Sequence, residues 1–261
     1  MAGGGHELPD VELVLPGVRF ARDRLAAYAR VCALPPGDTL PATAPHLLAF
    51  PLHMALMTDG AFPFPAVGLV HVRNRITCLR AIEAAEPLDV AVHATPAEPH
   101  PRGRTFTLVT SVAAGAEPVW EEHSTMLRRD GSRNGGGSAG GPQATGTELR
   151  ESAVWGLPED LGRRYAGVSG DHNPIHLHPL GARLFGFPRT IAHGMWTKAR
   201  CLAELGPLLP ESYTVEVSFR KPVLLPSEVA FAAATTDRQI EFAVRPAGQP
   251  DKVHLEGRVS W

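Results

Sequence analysis

The chain has 261 residues, 44% hydrophobic and 20% charged, with a formal net charge of −2. That balance excludes a broad basic face for nucleic acid while leaving room for a local basic patch, and no apolar run approaches the roughly 18 residues that a membrane span needs. Three scattered cysteines, Cys32, Cys78 and Cys201, argue against a disulfide scaffold, and no basic segment followed by an apolar stretch opens the chain, so a cytoplasmic protein is expected.

In chain order, the first helical stretch is 45–58, followed by Phe62-Pro63-Phe64-Pro65. Segments 68–82 and 88–94 read as strands. Segment 104–129 shows alternating residues, a Gly-containing turn, and alternation again, which is the pattern of a β-hairpin. Phe106 and Leu108 fit one of its faces. Residues 131–141 read GSRNGGGSAGG, with six Gly and two Ser. Such a composition buries no apolar area. It marks either a linker over 129–147 or a long insert in a surface loop. A second helical stretch, 194–205, carries Met195, Ala199, Leu202 and Leu205 along one stripe and stops at Gly206-Pro207. Strand-like segments 213–223 and 228–234 follow. Segment 238–261 is again hairpin-like, with Ile240, Phe242 and Val244 on one face. Both halves thus read as one helix followed by several antiparallel strands, an α+β layer. Two such units can pack side by side.

The stretch 165–199, YAGVSGDHNPIHLHPLGARLFGFPRTIAHGMWTKA, holds His172, His176, His178, His193 and Asp171. Ser169-Gly170-Asp171 and Asn173-Pro174 are loop signals. Polar side chains on a loop between structured elements are where chemistry concentrates. Asp171 and His176 are five positions apart, and a turn broken by Pro174 can bring them to one point. Three other readings compete. Asp171 or Asn173 can simply cap a short helix. The histidines can ligate a transition metal, although no HExxH helix or Cys pair accompanies them. Ser169 can be a nucleophile, although Gly167-Val168-Ser169-Gly170-Asp171 lacks the last glycine of the G-x-S-x-G elbow.

Tyr165, Ser169, Gly170, Asp171, Asn173, Pro174, Ile175, His176 and Ala182 resemble the hydratase signature of the MaoC-like family of (R)-specific enoyl-thioester hydratases and dehydratases. Gly186-Phe187 and Ile191-Ala192-His193-Gly194-Met195 extend the match. The resemblance implies a double hot-dog fold. It divides the chain into a degenerate half that shapes the acyl pocket (1–128), the Gly-rich linker (129–147) and a catalytic half (148–261). Before its helix the first half has the Pro-rich segment 34–45, without an Asp/His pair.

The implied reaction interconverts (R)-3-hydroxyacyl and trans-2-enoyl thioesters, with no metal and no organic cofactor. Asp171 and His176 suit general base and general acid roles on one water, and by resemblance they are the catalytic dyad. Asn173 is expected to orient that water, with Ser169 and His193 beside it. Gly194 precedes the apolar helix, so its N–H can receive the developing oxyanion. The apolar groups of 45–58, Met54 and Met57 among them, are expected to contribute to an acyl tunnel, while Met195 and Trp196 are expected in the core. Arg220 and Lys221 can meet a pantetheine or nucleotide phosphate, or simply be solvated. His178 stands where many members of the family carry an acid. The resemblance implies coenzyme A or acyl carrier protein as the substrate carrier, with a second copy of the chain as a candidate partner. A non-catalytic acyl-thioester-binding subunit and an acyl thioesterase are the rival functions, since hot-dog folds also host thioester hydrolysis.

Overall fold

Alternation along the first hairpin resolves into a strand with one buried face, as the period of two requires, whereas the second hairpin is buried on both faces from Ile240 to Val244. In the computed structural model, which describes residues 8–129 and 148–261, Phe106, Leu108 and Val112 of β5 (Gly103–Ala114) are buried, as are Ile240, Phe242 and Val244 of β10 (Gln239–Pro246). Each pairs with the strand across its turn: β5 with β6 (Glu117–Arg129), and β10 with β11 (Leu255–Ser260). The expected linker lies outside the described residues except for Arg129, which ends β6.

The remaining strands are β1 (Glu12–Val18), β2 (Leu69–Cys78), β3 (Leu88–Ala94), the short β4 (Glu98–His100), β7 (Arg150–Leu157), β8 (Tyr213–Phe219) and β9 (Ser227–Thr235). All join one antiparallel sheet in the order β1-β3-β5-β6-β2-β8-β11-β10-β9-β7, with β4 beside β5. The strands before residue 130 and those after residue 148 repeat the same arrangement. They meet where β2 pairs β8 in a register that opposes Ile76 to Val215. This is the double hot-dog α+β architecture that the family resemblance implies. Each half supplies one long helix to the shared core, α2 (Ala44–Thr58) and α6 (Gly194–Leu205). No helix of the described residues is long and apolar enough to cross a membrane.

Two expected strands are shorter than their apolar patterns suggest. The first ends at Cys78 instead of residue 82, and the second ends at Phe219, just before the Lys221-Pro222 turn. Four elements carry no strong sequence signal: β1, β7, α1 (Arg22–Cys32) and α3 (Leu161–Ser169). β1 and β7 are the edge strands, whose alternation is diluted by exposed residues.

Helix α2 contains Pro51, which lacks an N–H and cannot bond the carbonyl of Leu47 one turn earlier. Arg24 takes that carbonyl, its Nη2 donating to Leu47 O at 3.3 Å. The same guanidinium donates through Nε to Val168 O at 2.9 Å and through Nη2 to Ser169 O at 3.4 Å. Arg24 therefore ties the irregular point of α2 to the end of α3, where the loop that carries Asp171 and Asn173 begins.

Candidate active site

Helix α3 stops at Gly170, whose φ of +83° closes the helix in the left-handed conformation. The loop then folds on its own polar groups. The Asp171 N–H donates to Ser169 Oγ at 3.1 Å, and the Asn173 N–H to Asp171 Oδ1 at 3.1 Å. The Asn173 Oδ1 accepts from Ile175 N at 3.3 Å and so caps the one-turn helix α4 (Pro174–Leu177). Capping and site-building are thus compatible: Asn173 spends its oxygen on the cap and keeps its amide N–H groups. His178 caps α5 (Pro179–Leu184), its Nδ1 accepting from Leu180 N at 3.2 Å.

His176 is buried on α4, with its Nδ1 2.8 Å from Ile191 O. A carbonyl only accepts, so Nδ1 carries the proton and Nε2 keeps a lone pair. Under it lies His193, the rings stacked with centroids 3.6 Å apart at 25°. The His193 Nε2–H donates to the backbone oxygen of Asp171 at 3.0 Å and stands 3.7 Å from its Oδ2. Burial pushes the His176 imidazole below the ordinary histidine range, with the charge of Asp171 opposing the shift. Burial, then neighbouring His176, pushes His193 well below it. Both rings are therefore neutral near pH 7.

Two glycines make this packing possible. A Cβ on Gly162 of α3 would sit 2.0 Å from the His176 carbonyl oxygen, and one on Gly194 would sit 2.9 Å from the Phe219 ring. Gly162→Ala is expected to displace α4 and lower turnover together with the melting temperature. Wild-type values of both would contradict this packing.

Asp171, Asn173, His176, Ser169, His193 and Gly194 all line one cavity of about 400 Å³. Gly194 opens α6, where backbone N–H groups lack intrahelical partners. Arg220 and Lys221 line the same cavity, as do Arg102, Arg129 and His254. Arg220 leans on Glu256, its Nε donating to Oε1 at 2.8 Å, while Lys221 is exposed. The other half contributes Phe50 and Met57, whereas Met54 is not a lining residue and packs against the core. Met195 is buried in the core as expected, and because the first turn of α6 borders the loop it also lines the cavity. Trp196 does sit in the core, its Nε1 donating to Val31 O at 2.9 Å.

Sequence reasoning missed a buried polar network at the other side of this cavity. His46 Nδ1 lies 2.8 Å from Glu122 Oε2, and Asn74 Nδ2 lies 2.7 Å from Glu122 Oε1. Lys198 of α6 donates to Asn74 Oδ1 and to Val215 O. His53 Nε2 lies 2.8 Å from Thr110 Oγ1. The available signal was polar residues at core positions: His46 and His53 in an apolar helix, and Lys198 in an apolar stripe. Burial raises the Glu122 carboxyl, but His46, His53 and Asn74 together outweigh it and hold it down to about 2. Burial depresses Lys198 to about 7.

Burial also depresses His53 to about 4 and His71 to about 3. Their folded values lie below the unfolded 6.5, so the unfolded chain binds more protons as pH falls. Stability present above 6.5 is therefore lost toward pH 4, on the order of 3 kcal/mol for each group. Melting temperatures measured across that window should fall, and His71→Leu should flatten the slope. A flat wild-type profile would contradict neutral burial.

Two triads among the described residues bring metal-ligand-type atoms within 4.8 Å of one another: Asp171, His176, His193 and His46, His53, Glu122. In the first, one nitrogen of each imidazole is committed to a carbonyl. In the second, both oxygens of Glu122 already have partners, so a cation there must displace bonds already made.

Residues 142–255 match the family model described as MaoC like domain. Over 239 residues, spanning 92% of this chain and 85% of its relative, the sequence is 37% identical to 3-hydroxyacyl-thioester dehydratase X of Mycobacterium tuberculosis. The chain belongs to the MaoC-like dehydratase family. A crystal structure of that mycobacterial relative superposes on this MaoC-like protein with a TM-score of 0.84 at 34% identity, covering 95% of this chain and 99% of the other. Over 95 residues, 35% of this MaoC-like chain and 69% of its relative, identity to the (R)-specific enoyl-CoA hydratase of Aeromonas caviae is 34%. A further M. tuberculosis protein, described as having a double hotdog fold, aligns over 95% of each chain at 14% identity with a TM-score of 0.57, a likeness of fold alone.

Proposed function

We propose that this protein is a hydro-lyase that interconverts (R)-3-hydroxyacyl and trans-2-enoyl thioesters of coenzyme A or acyl carrier protein. The observation that carries the reading is His176, its Nδ1–H locked on Ile191 O and Nε2 left as an acceptor, beside Asp171 in a cavity built by both halves. Water held between the two gives a proton to His176 Nε2 while a carboxylate oxygen of Asp171 accepts its other hydrogen. Hydroxide adds to the β-carbon, and the proton on Nε2 returns to the α-carbon. Negative charge gathers on the thioester oxygen meanwhile, and the N–H of Gly194, the residue that opens α6, receives it. The amide N–H groups of Asn173 hold the water. Ser169 and His193 act by positioning, the first through the Asp171 N–H and the second through the Asp171 carbonyl and the stacked ring. The chemistry requires neither metal nor organic cofactor.

The same reading divides the labour. Residues 148–261 hold the reacting atoms, and residues 1–128 shape the acyl cavity, with 129–147 joining them. Arg102, Arg129, Arg220 and Lys221 give the cavity a basic border suited to the phosphates of the carrier. Met57→Trp should fill cavity volume and shift preference to shorter acyl chains, while Met54→Trp should not. Unchanged preference in Met57→Trp would remove the first half from the acyl pocket.

The test is incubation of the protein with crotonyl-CoA and longer trans-2-enoyl thioesters. Loss of enoyl absorbance with formation of (R)-3-hydroxyacyl product is expected. Release of free thiol instead would make it a thioesterase, and neither change would make it a binding subunit.

A further inference from the structure

Helix α2 turns His46, Phe50, His53 and Met57 toward the cavity, a single stripe at helical spacing. A wall for a plain hydrocarbon chain needs only the apolar two. The imidazoles are held in fixed poses. The ionised Glu122 accepts from His46 Nδ1–H, and Asn74 holds the other Glu122 oxygen while also donating to Ser124 Oγ at 3.0 Å. Nε2 is then the atom His46 can offer to the cavity. His53 spends Nε2 on Thr110 and keeps Nδ1. The two rings stand 5.4 Å apart, edge to face, with Ser124 also on the cavity wall. Phe50 lies between this pair and the dyad. Its ring centroid is 6.1 Å from that of His46, and its edge is 3.9 Å from where a Cβ on Gly170 would stand, next to Asp171.

We infer that His46 and His53 form a recognition site for a hydroxyl group carried on the acyl chain, beyond Phe50 and remote from the thioester. This rests on the thioester reading above and names its substrate class. A hydroxyl both donates and accepts, so it satisfies an imidazole nitrogen in either role. A carboxylate would meet the charge of Glu122 directly behind His46. A metal ion would have to break the bonds to Glu122. An unsubstituted chain would leave the two nitrogens without a partner once it displaced water, a cost that the hydroxylated chain avoids.

The test uses saturated acyl-CoA probes with one hydroxyl moved a carbon at a time along the chain beyond the reacting α- and β-carbons, against unsubstituted probes of equal length, titrated by calorimetry. One position should bind about tenfold tighter, the size of one net hydrogen bond. The matching enoyl substrate should show the gain in KM and little change in kcat. His46→Leu strands Glu122, so the decisive variant is His53→Leu with Thr110→Val, which removes both members of one hydrogen bond. Its fold is checked by thermal melting, and its preference should shrink severalfold. Equal affinity at every hydroxyl position, or a preference unchanged in the double variant, overturns the site. A wild type that hydrates all chains equally also overturns it and leaves the hydro-lyase reading standing. Position-dependent binding without hydration supports the site and overturns that reading.

Discussion

Asp171→Asn and His176→Ala should each lower hydration turnover by about 10²–10⁴-fold, the usual contribution of a positioned acid or base. Asp171→Asn keeps an oxygen for the Asn173 N–H, so the loop retains its shape while the carboxylate is lost. His176→Ala removes the only member of the pair whose free nitrogen can take a proton from water. It also removes the ring stacked on His193, so its melting temperature is the control. The pH profile carries a second expectation. Protonating His176 Nε2 destroys the acceptor, and burial places that event below the ordinary value of 6.5. The acid limb of kcat/KM should therefore lie below 6.5. An acid limb above it, or a His176→Ala variant that keeps its fold and its rate, would sink the assignment of His176.

The largest effect on stability is expected at the buried network. Glu122→Leu removes the carboxylate that Asn74 links to Lys198, leaves Asn74 and His46 without it, and lets the fully buried Lys198 lose its proton more readily than at its present value of about 7. Breaking a buried charge pair from one side costs about 3–5 kcal/mol. Lys198→Met leaves Glu122 to His46 and Asn74, and should cost less because two partners stay. With both changes no uncompensated charge is buried. The double variant should then be more stable than the sum of the single losses predicts, and a denaturant-unfolding cycle over the four proteins measures the coupling. Strict additivity would show that Lys198 and Glu122 do not sense each other.

The strands and helices with strong periodicity were legible in the sequence. α6 begins and ends at the residues that its glycines mark, and β3 has the expected bounds. The same holds for the loop that brings Asp171 and His176 to one cavity, because Pro174 and Gly170 are backbone signals read locally. β1, β7, α1 and α3 were not legible, since their burial depends on neighbours far away in the chain. The paired His46 and Glu122 escaped for the same reason: 76 positions separate them. Each alone reads as a misplaced polar residue, and only the β2-β6 register and the face of α2 bring them together. Met195 belongs to the core as its stripe implies, and its second role at the cavity wall was not legible, because a helix stripe shows which residues are inward but not whether the interior there is filled or hollow.

The β2-β8 junction has a consequence for how many reacting centres the molecule holds. If residues 148–261 stood alone, β8 would end the sheet with bare N–H and C=O groups, an edge that recruits another strand. Its natural satisfier would be a second copy of itself, and such a twin would contain two dyads facing two identical walls. Carrying β2 in the same chain fills that edge with a different surface. The chain then carries one Asp171–His176 pair in the cavity, and the wall opposite is free to differ from it in shape and polarity.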